Sequence, residues 1–91
     1  MTSLPLRRSL QEVCEICGVS VKTVRGFIES EWIVPLDPDA QMLDEEDIAR
    51  IKLILEMKND FEVNDQSIDI ILHLIDRIHV LNLHLKHSYK D

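Results

Sequence analysis

Residues 31–47 contain no lysine or arginine, while seven carboxylates (Glu31, Asp37, Asp39, Asp44, Glu45, Glu46 and Asp47) fall among them. Duplex DNA presents one phosphate charge per roughly 1.7 Å, so a segment of this sign is poorly suited to touch it. Glycine is almost missing as well: two residues in 91 leave nothing from which to build a phosphate-cradling loop. Glycine and proline together are too few for a disordered chain. No apolar run approaches the roughly 20 residues that span a bilayer, and the N-terminus shows no secretory pattern. A cytoplasmic location without membrane contact is the expectation. Cysteine is limited to Cys14 and Cys17, a single C-x-x-C.

What is present describes one domain over 1–91. A hydrophobic fraction of 45% supports a packed core, and a chain of this size buries roughly 60–70% of its unfolded surface. The formal net charge of −7 and the pI near 4.9 argue against nucleic acid or an anionic membrane as the main partner. They favour a partner with a basic face.

Ser9-Leu10-Gln11-Glu12 has the pattern of a capping box. The helix it opens aligns Leu10, Val13, Cys14 and Cys17, and Gly18 follows at the position that favours a left-handed residue. Ser20 caps a second helix whose inner face is Val21, Val24, Phe27 and Ile28. Two short helices joined by Gly18-Val19-Ser20 are a helix-turn-helix pattern. Beyond Trp32, the spacing predicts a small wing: Ile33-Val34 as one strand, Gln41-Met42-Leu43 as its partner, and Asp37-Pro38-Asp39-Ala40 as the turn.

Asp44 is placed to cap a third helix with acids at its positive end and Lys58 near its negative end. Ile48, Ile51, Ile54 and Leu55 form its inner face. Phe61-Glu62-Val63 then connects to Asn64 or Asp65, either of which can cap a fourth helix running to about Ser88. That helix is apolar over about half its circumference, more than one core contact requires. Ile71, Ile75, Ile78, Asn82 and Leu85 follow heptad spacing from Ile68, and an asparagine in such a seam fixes register. The expectation is a long C-terminal helix, over 61–91, that packs on its own domain and pairs with a second copy. The fold class is all-α: a winged helix-turn-helix with third helix (1–60), a small wing and the C-terminal helix.

Chemistry is sparse. Cys14 and Cys17 would supply half a zinc site or a redox couple, yet no second C-x-x-C or H-x-x-x-H exists to complete a tetrahedral site. Both lie on the face of Leu10 and Val13, where free cysteine acts as a small hydrophobe. His73 stands one turn from Asp69 and Asp76, and His84 stands near His87, but no third ligand of matched spacing accompanies either group. Solvated or interface histidines are the reading, with His79 able to make association pH-dependent. The carboxylates sit at helix starts and loops, where capping and solvation explain them. The chain is therefore read as a non-enzyme without metal or cofactor. Cations near the helix-turn-helix are Arg7, Arg8, Lys22 and Arg25, with Glu29 one turn from Arg25 and placed to neutralise it.

Cys17-Gly18-Val19-Ser20-x-x-Thr23-Val24-Arg25, followed by Trp32-Ile33-x-Pro35, resembles the N-terminal domain of MerR-type winged-helix regulators. In that family an aromatic commonly follows the arginine and helps hold phosphate, and the wing is usually basic. Here Gly26 follows Arg25 and the wing is acidic. A resemblance over nearly the whole chain is to the chaperone-modulator family typified by CbpM. It rests on Glu12-Val13-Cys14 before Gly18-Val19-Ser20, Ile33-Val34-Pro35, Leu43-Asp44-Glu45-Glu46, and Phe61-x-Val63-Asn64 leading into Ile70-Ile71-Leu72-x-Leu74-Ile75-Asp76-x-Ile78.

This resemblance implies a small bacterial protein that binds the J-domain of a CbpA/DnaJ-type co-chaperone and inhibits it. A J-domain offers a basic helix to its chaperone, and an acidic surface can mask that helix by charge complementarity. Asp65, Asp69 and Asp76 on the fourth helix are the first candidates for that contact, and the wing acids the second. The alternative is a MerR-like transcriptional regulator that binds DNA.

Overall fold

The computed structural model describes residues 7–36, 39 and 41–88. Its elements are β1 (Arg8–Ser9), α1 (Leu10–Cys17), α2 (Val21–Glu29), β2 (Met42–Leu43), α3 (Glu45–Asn59) and α4 (Asp65–Ser88). Each helix start has a local cause. The Glu12 amide donates to Ser9 Oγ at 3.2 Å while the Ser9 amide donates to Glu12 Oε1 at 3.0 Å, so the box at α1 is complete. The Ser9 amide, and then its hydroxyl, hold the exposed Glu12 carboxyl below its usual range. At α3, Asp44 and Asp47 exchange the same pair of bonds at 2.9 and 3.1 Å. For α4 the choice falls on Asn64, whose Oδ1 accepts from the Ser67 amide at 2.8 Å.

The turn between α1 and α2 depends on Gly18 at φ +70°, a region most side chains avoid, which lets the Val19 amide reach the Cys14 carbonyl. The end of α2 has the same shape without a glycine. Glu31 sits at φ +62°, and the Trp32 amide returns to the Phe27 carbonyl at 3.0 Å.

The core forms where α1, α2 and α3 meet the first turns of α4. Val13, Val24, Ile33, Leu43, Ile51, Ile54 and Ile68 are almost fully enclosed, each contributing about 1.5–3 kcal/mol by leaving water. Of the inner faces expected from spacing, Val24, Phe27, Ile51 and Ile54 are buried, and Ile28, Ile48 and Leu55 pack partly against the core. Val21 is exposed, because the first residue of α2 lies at its outer edge.

The expected wing hairpin does not form. Met42–Leu43 pairs antiparallel with Arg8–Ser9, with Arg8 opposite Leu43 and Ser9 opposite Met42, and the Leu10 amide adds a bond to the Gln41 carbonyl at 3.0 Å. Ile33 is drawn into the core while Val34 is 74% exposed, and Pro35 offers no amide to a ladder. The extended residue before the α1 cap competes for the same partner strand and takes it. In the expected turn, Asp37, Pro38 and Ala40 lie outside the described residues.

Helix α4 contributes Ile68 and Leu72 to the core, with Ile71 half-buried beside them. From His73 to Leu85 every residue is exposed. Its 24 residues extend about 36 Å, which accounts for much of the 47 Å long axis of the molecule.

Candidate interaction surface

Trp32 is the joint that fixes the surface around it. Its ring is buried against Phe27 at 5.7 Å between centroids, its indole Nε1–H donates to Asp69 Oδ1 at 3.2 Å, and its carbonyl accepts from Arg50 Nε. The Lys58 ammonium lies 5.7 Å from the ring centroid. One residue thus ties the exit of α2 to α3 and to α4.

The three acids singled out on α4 are each engaged within the chain. Arg50 grips Asp76 with both terminal nitrogens, at 2.8 and 3.0 Å; Lys58 reaches Asp65 at 3.0 Å; and Asp69 accepts a hydrogen bond from the Trp32 indole N–H. The bonds from Arg50 hold the Asp76 carboxyl below the ordinary carboxylate range. Glu31, Glu45 and Glu46, by contrast, form no ion pair among the described residues. Asp47 is buried and used as a cap, and that burial raises its carboxyl above the usual range.

A groove of about 490 Å³ lies between residues 31–34, the first half of α3 and the middle of α4. Val34, Leu53 and Ile75 supply its apolar wall, Glu31 and Glu46 its acids, and Arg50 its cation. Sequence reasoning did not bring out Arg50, Val34 or Trp32 as parts of a site. One signal was there: Arg50 is the sole cation between Glu31 and Ile51.

Along the expected self-association seam, Ile71 is partly committed to the domain's own core. Ile75 borders the groove, and Ile78, Asn82 and Leu85 are exposed. Ile70, Leu74, Val80, Leu81 and Leu83 are exposed too, so the distal half of α4 is apolar on several sides, with no covering element among the described residues. Cys14 is buried, Cys17 is half-buried, and both are free thiols, pushed up in pKa first by burial. Raised thiol pKa values suit packing better than metal or redox chemistry. Among the described residues no three His, Cys, Asp or Glu side chains gather as a metal site, and no helix is long and apolar enough to cross a membrane.

The helix pair α1–α2, the short turn at Gly18 and the long final helix define a sequence type as well as a shape. The family model of the MerR HTH family regulatory protein matches residues 9–87. The chain belongs to the MerR helix-turn-helix family. No curated protein matches it in sequence.

In this MerR-family chain, α2 is the second helix of the helix-turn-helix pair. Lys22 and Arg25 are exposed on α2, and neither forms an ion pair among the described residues. The neutralising pair expected between Arg25 and Glu29 is therefore not made. A Cβ built on Gly26 would meet nothing within 4 Å. Where the resemblance leads one to expect an aromatic after the arginine, this chain has Gly26 and open space.

Proposed function

We propose that this MerR-family domain is a non-enzymatic cytoplasmic regulator that binds the J-domain of a CbpA/DnaJ-type co-chaperone and inhibits it by masking the J-domain's basic helix. The observation that carries the reading is the combination of a helix-turn-helix scaffold with unpaired acids beside an apolar-walled groove. Basic helices are met by such surfaces, whereas phosphate backbones are repelled. Because Asp65 and Asp76 already hold cations of their own chain, the uncompensated glutamates that line the groove are Glu31 and Glu46. The α4 acids serve as an outer rim, where charge tunes association rate and specificity more than affinity. Apolar contacts supply the affinity. Pairing of two copies through the distal half of α4 completes the proposed assembly.

Calorimetric titration into a purified CbpA-type J-domain, at low and at high salt, tests this. Saturable binding that weakens as salt rises is the expected result. An absence of binding in both buffers refutes the reading.

A second reading, direct DNA binding, has one observation in its favour: Lys22 and Arg25 are exposed and unpaired on α2. Fluorescence anisotropy with duplex DNA separates the two. A DNA-binding dimer would show a steep fall in affinity with salt, and reversal of Lys22 and Arg25 to glutamate would abolish it. Failure to bind duplex DNA even at low salt removes this reading.

A further inference from the structure

We propose that the groove between residues 31–34, α3 and α4 seats an amphipathic helix of the partner protein, with that helix's basic face on Glu31 and Glu46 and its apolar face on Val34, Leu53 and Ile75. The inference rests on the protein-binding reading above and assigns it a location.

Three observations select the occupant. First, the groove's cation is already spent: Arg50 is held by both oxygens of Asp76 and by the Trp32 carbonyl, so it leaves Glu31 and Glu46 uncompensated. Second, the groove offers apolar area next to that charge, since Val34 is 74% and Ile75 38% exposed. An occupant must therefore present apolar and cationic groups side by side, as one edge of an amphipathic helix does. Third, an occupant that set carboxylates against Glu31 and Glu46 would be opposed, because like charges brought together at an interface resist association. Nucleic acid is disfavoured by the same sign.

The wall itself is held in place for such a contact. The carbonyl of Trp32, between Glu31 and Ile33, is fixed by Arg50, and the indole by Asp69. Glu31 and Val34 therefore project from a segment anchored at two points. Groups positioned in advance lose less freedom on binding.

The test uses the full chain with two probes: a purified CbpA-type J-domain and a synthetic lysine–leucine amphipathic helical peptide. Glu31→Lys combined with Glu46→Lys reverses the groove's charge. Val34→Asp spoils its apolar wall. Glu45→Lys reverses one charge next to Glu46 but outside the groove lining. All four positions are exposed, so circular dichroism spectra should match the wild type.

J-domain binding is expected to weaken about tenfold or more for the double variant and for Val34→Asp, and less than about threefold for Glu45→Lys. J-domain binding that is equal in all variants overturns the groove while leaving the proposed function standing. If the wild type does not bind the J-domain, the proposed function fails and the peptide decides the groove. Peptide binding lost in the double variant and kept in Glu45→Lys supports it, and peptide binding absent or unchanged overturns it.

Discussion

Replacing Arg50 by methionine should cost this domain far more stability than replacing Asp76 by asparagine, although the two residues form one ion pair. The Arg50 side chain is 25% exposed and that of Asp76 is 58% exposed, so their attraction is screened and contributes about 0.2–1 kcal/mol. Asp76→Asn removes that contribution and nothing else. Arg50→Met keeps the packed stem but also removes the donor to the part-buried Trp32 carbonyl, and a buried acceptor left without a partner costs about 1–3 kcal/mol. The expected losses are about 1.5–3 kcal/mol for Arg50→Met and less than about 1 kcal/mol for Asp76→Asn.

Acid separates the two contributions further. The Asp76 carboxyl is lowered first by its bonds from Arg50, so its folded-state pKa lies below the unfolded value of about 3.9. Its contribution is fully present above the unfolded value and fades as pH falls through the folded one. Arg50 stays charged at every pH of interest, so its bond to the Trp32 carbonyl survives acid. Urea unfolding at pH 7 and near pH 3 should show the Asp76→Asn deficit shrinking while most of the Arg50→Met deficit persists. Equal losses for both variants at pH 7, or a full recovery of Arg50→Met in acid, would refute the assignment of Arg50 as the clamp on the 31–33 segment.

Gly26→Ala should raise stability by about 0.5–1 kcal/mol, the helix-propensity difference, since a Cβ there meets nothing within 4 Å; a lower melting temperature would contradict the open space described. Ile68→Ala, at a side chain fully enclosed where α4 enters the core, should cost about 2–5 kcal/mol. Hydrogen exchange would show α4 losing protection along with the rest, whereas a loss below about 1 kcal/mol would mean that α4 is not anchored there. Ile78→Lys with Leu85→Lys should convert a dimer to a monomer in sedimentation velocity while the monomer's unfolding free energy moves by less than about 0.5 kcal/mol, because both side chains are exposed. A wild-type chain that stays monomeric at about 100 µM, a concentration at which micromolar association would be nearly complete, refutes pairing through this seam.

Much of the helical framework was legible in the chain. Ser9 with Glu12, Ser20, Asp44 with Asp47, and Asn64 are local capping signals, and each cap is made within three residues of its own position. Gly18 marked its turn for the same reason: a left-handed residue is a local demand. Val21 was misread because 3.6-residue spacing gives a face and not its width, and the first residue of α2 falls just outside the buried arc. The wing failed for a different reason. Ile33-Val34 and Gln41–Leu43 have the composition of paired strands, but pairing depends on which partner arrives, and the partner is Arg8–Ser9. The candidate site was half legible. Its sign was plain in the acids of 31–47, while the groove required Val34, Leu53 and Ile75 to meet from three separate segments.

The sequence by itself therefore determined the helices, their caps, the negative charge and an α4 too apolar for one contact, because these depend on neighbours within a few positions or on simple summation. Only the tertiary structure decided which acids remain uncompensated. Asp65 and Asp76 look as free as Glu31 and Glu46 along the chain, yet Lys58 lies 7 positions from Asp65 and Arg50 lies 26 positions from Asp76. Coulomb attraction acts through space, and folding sets those distances.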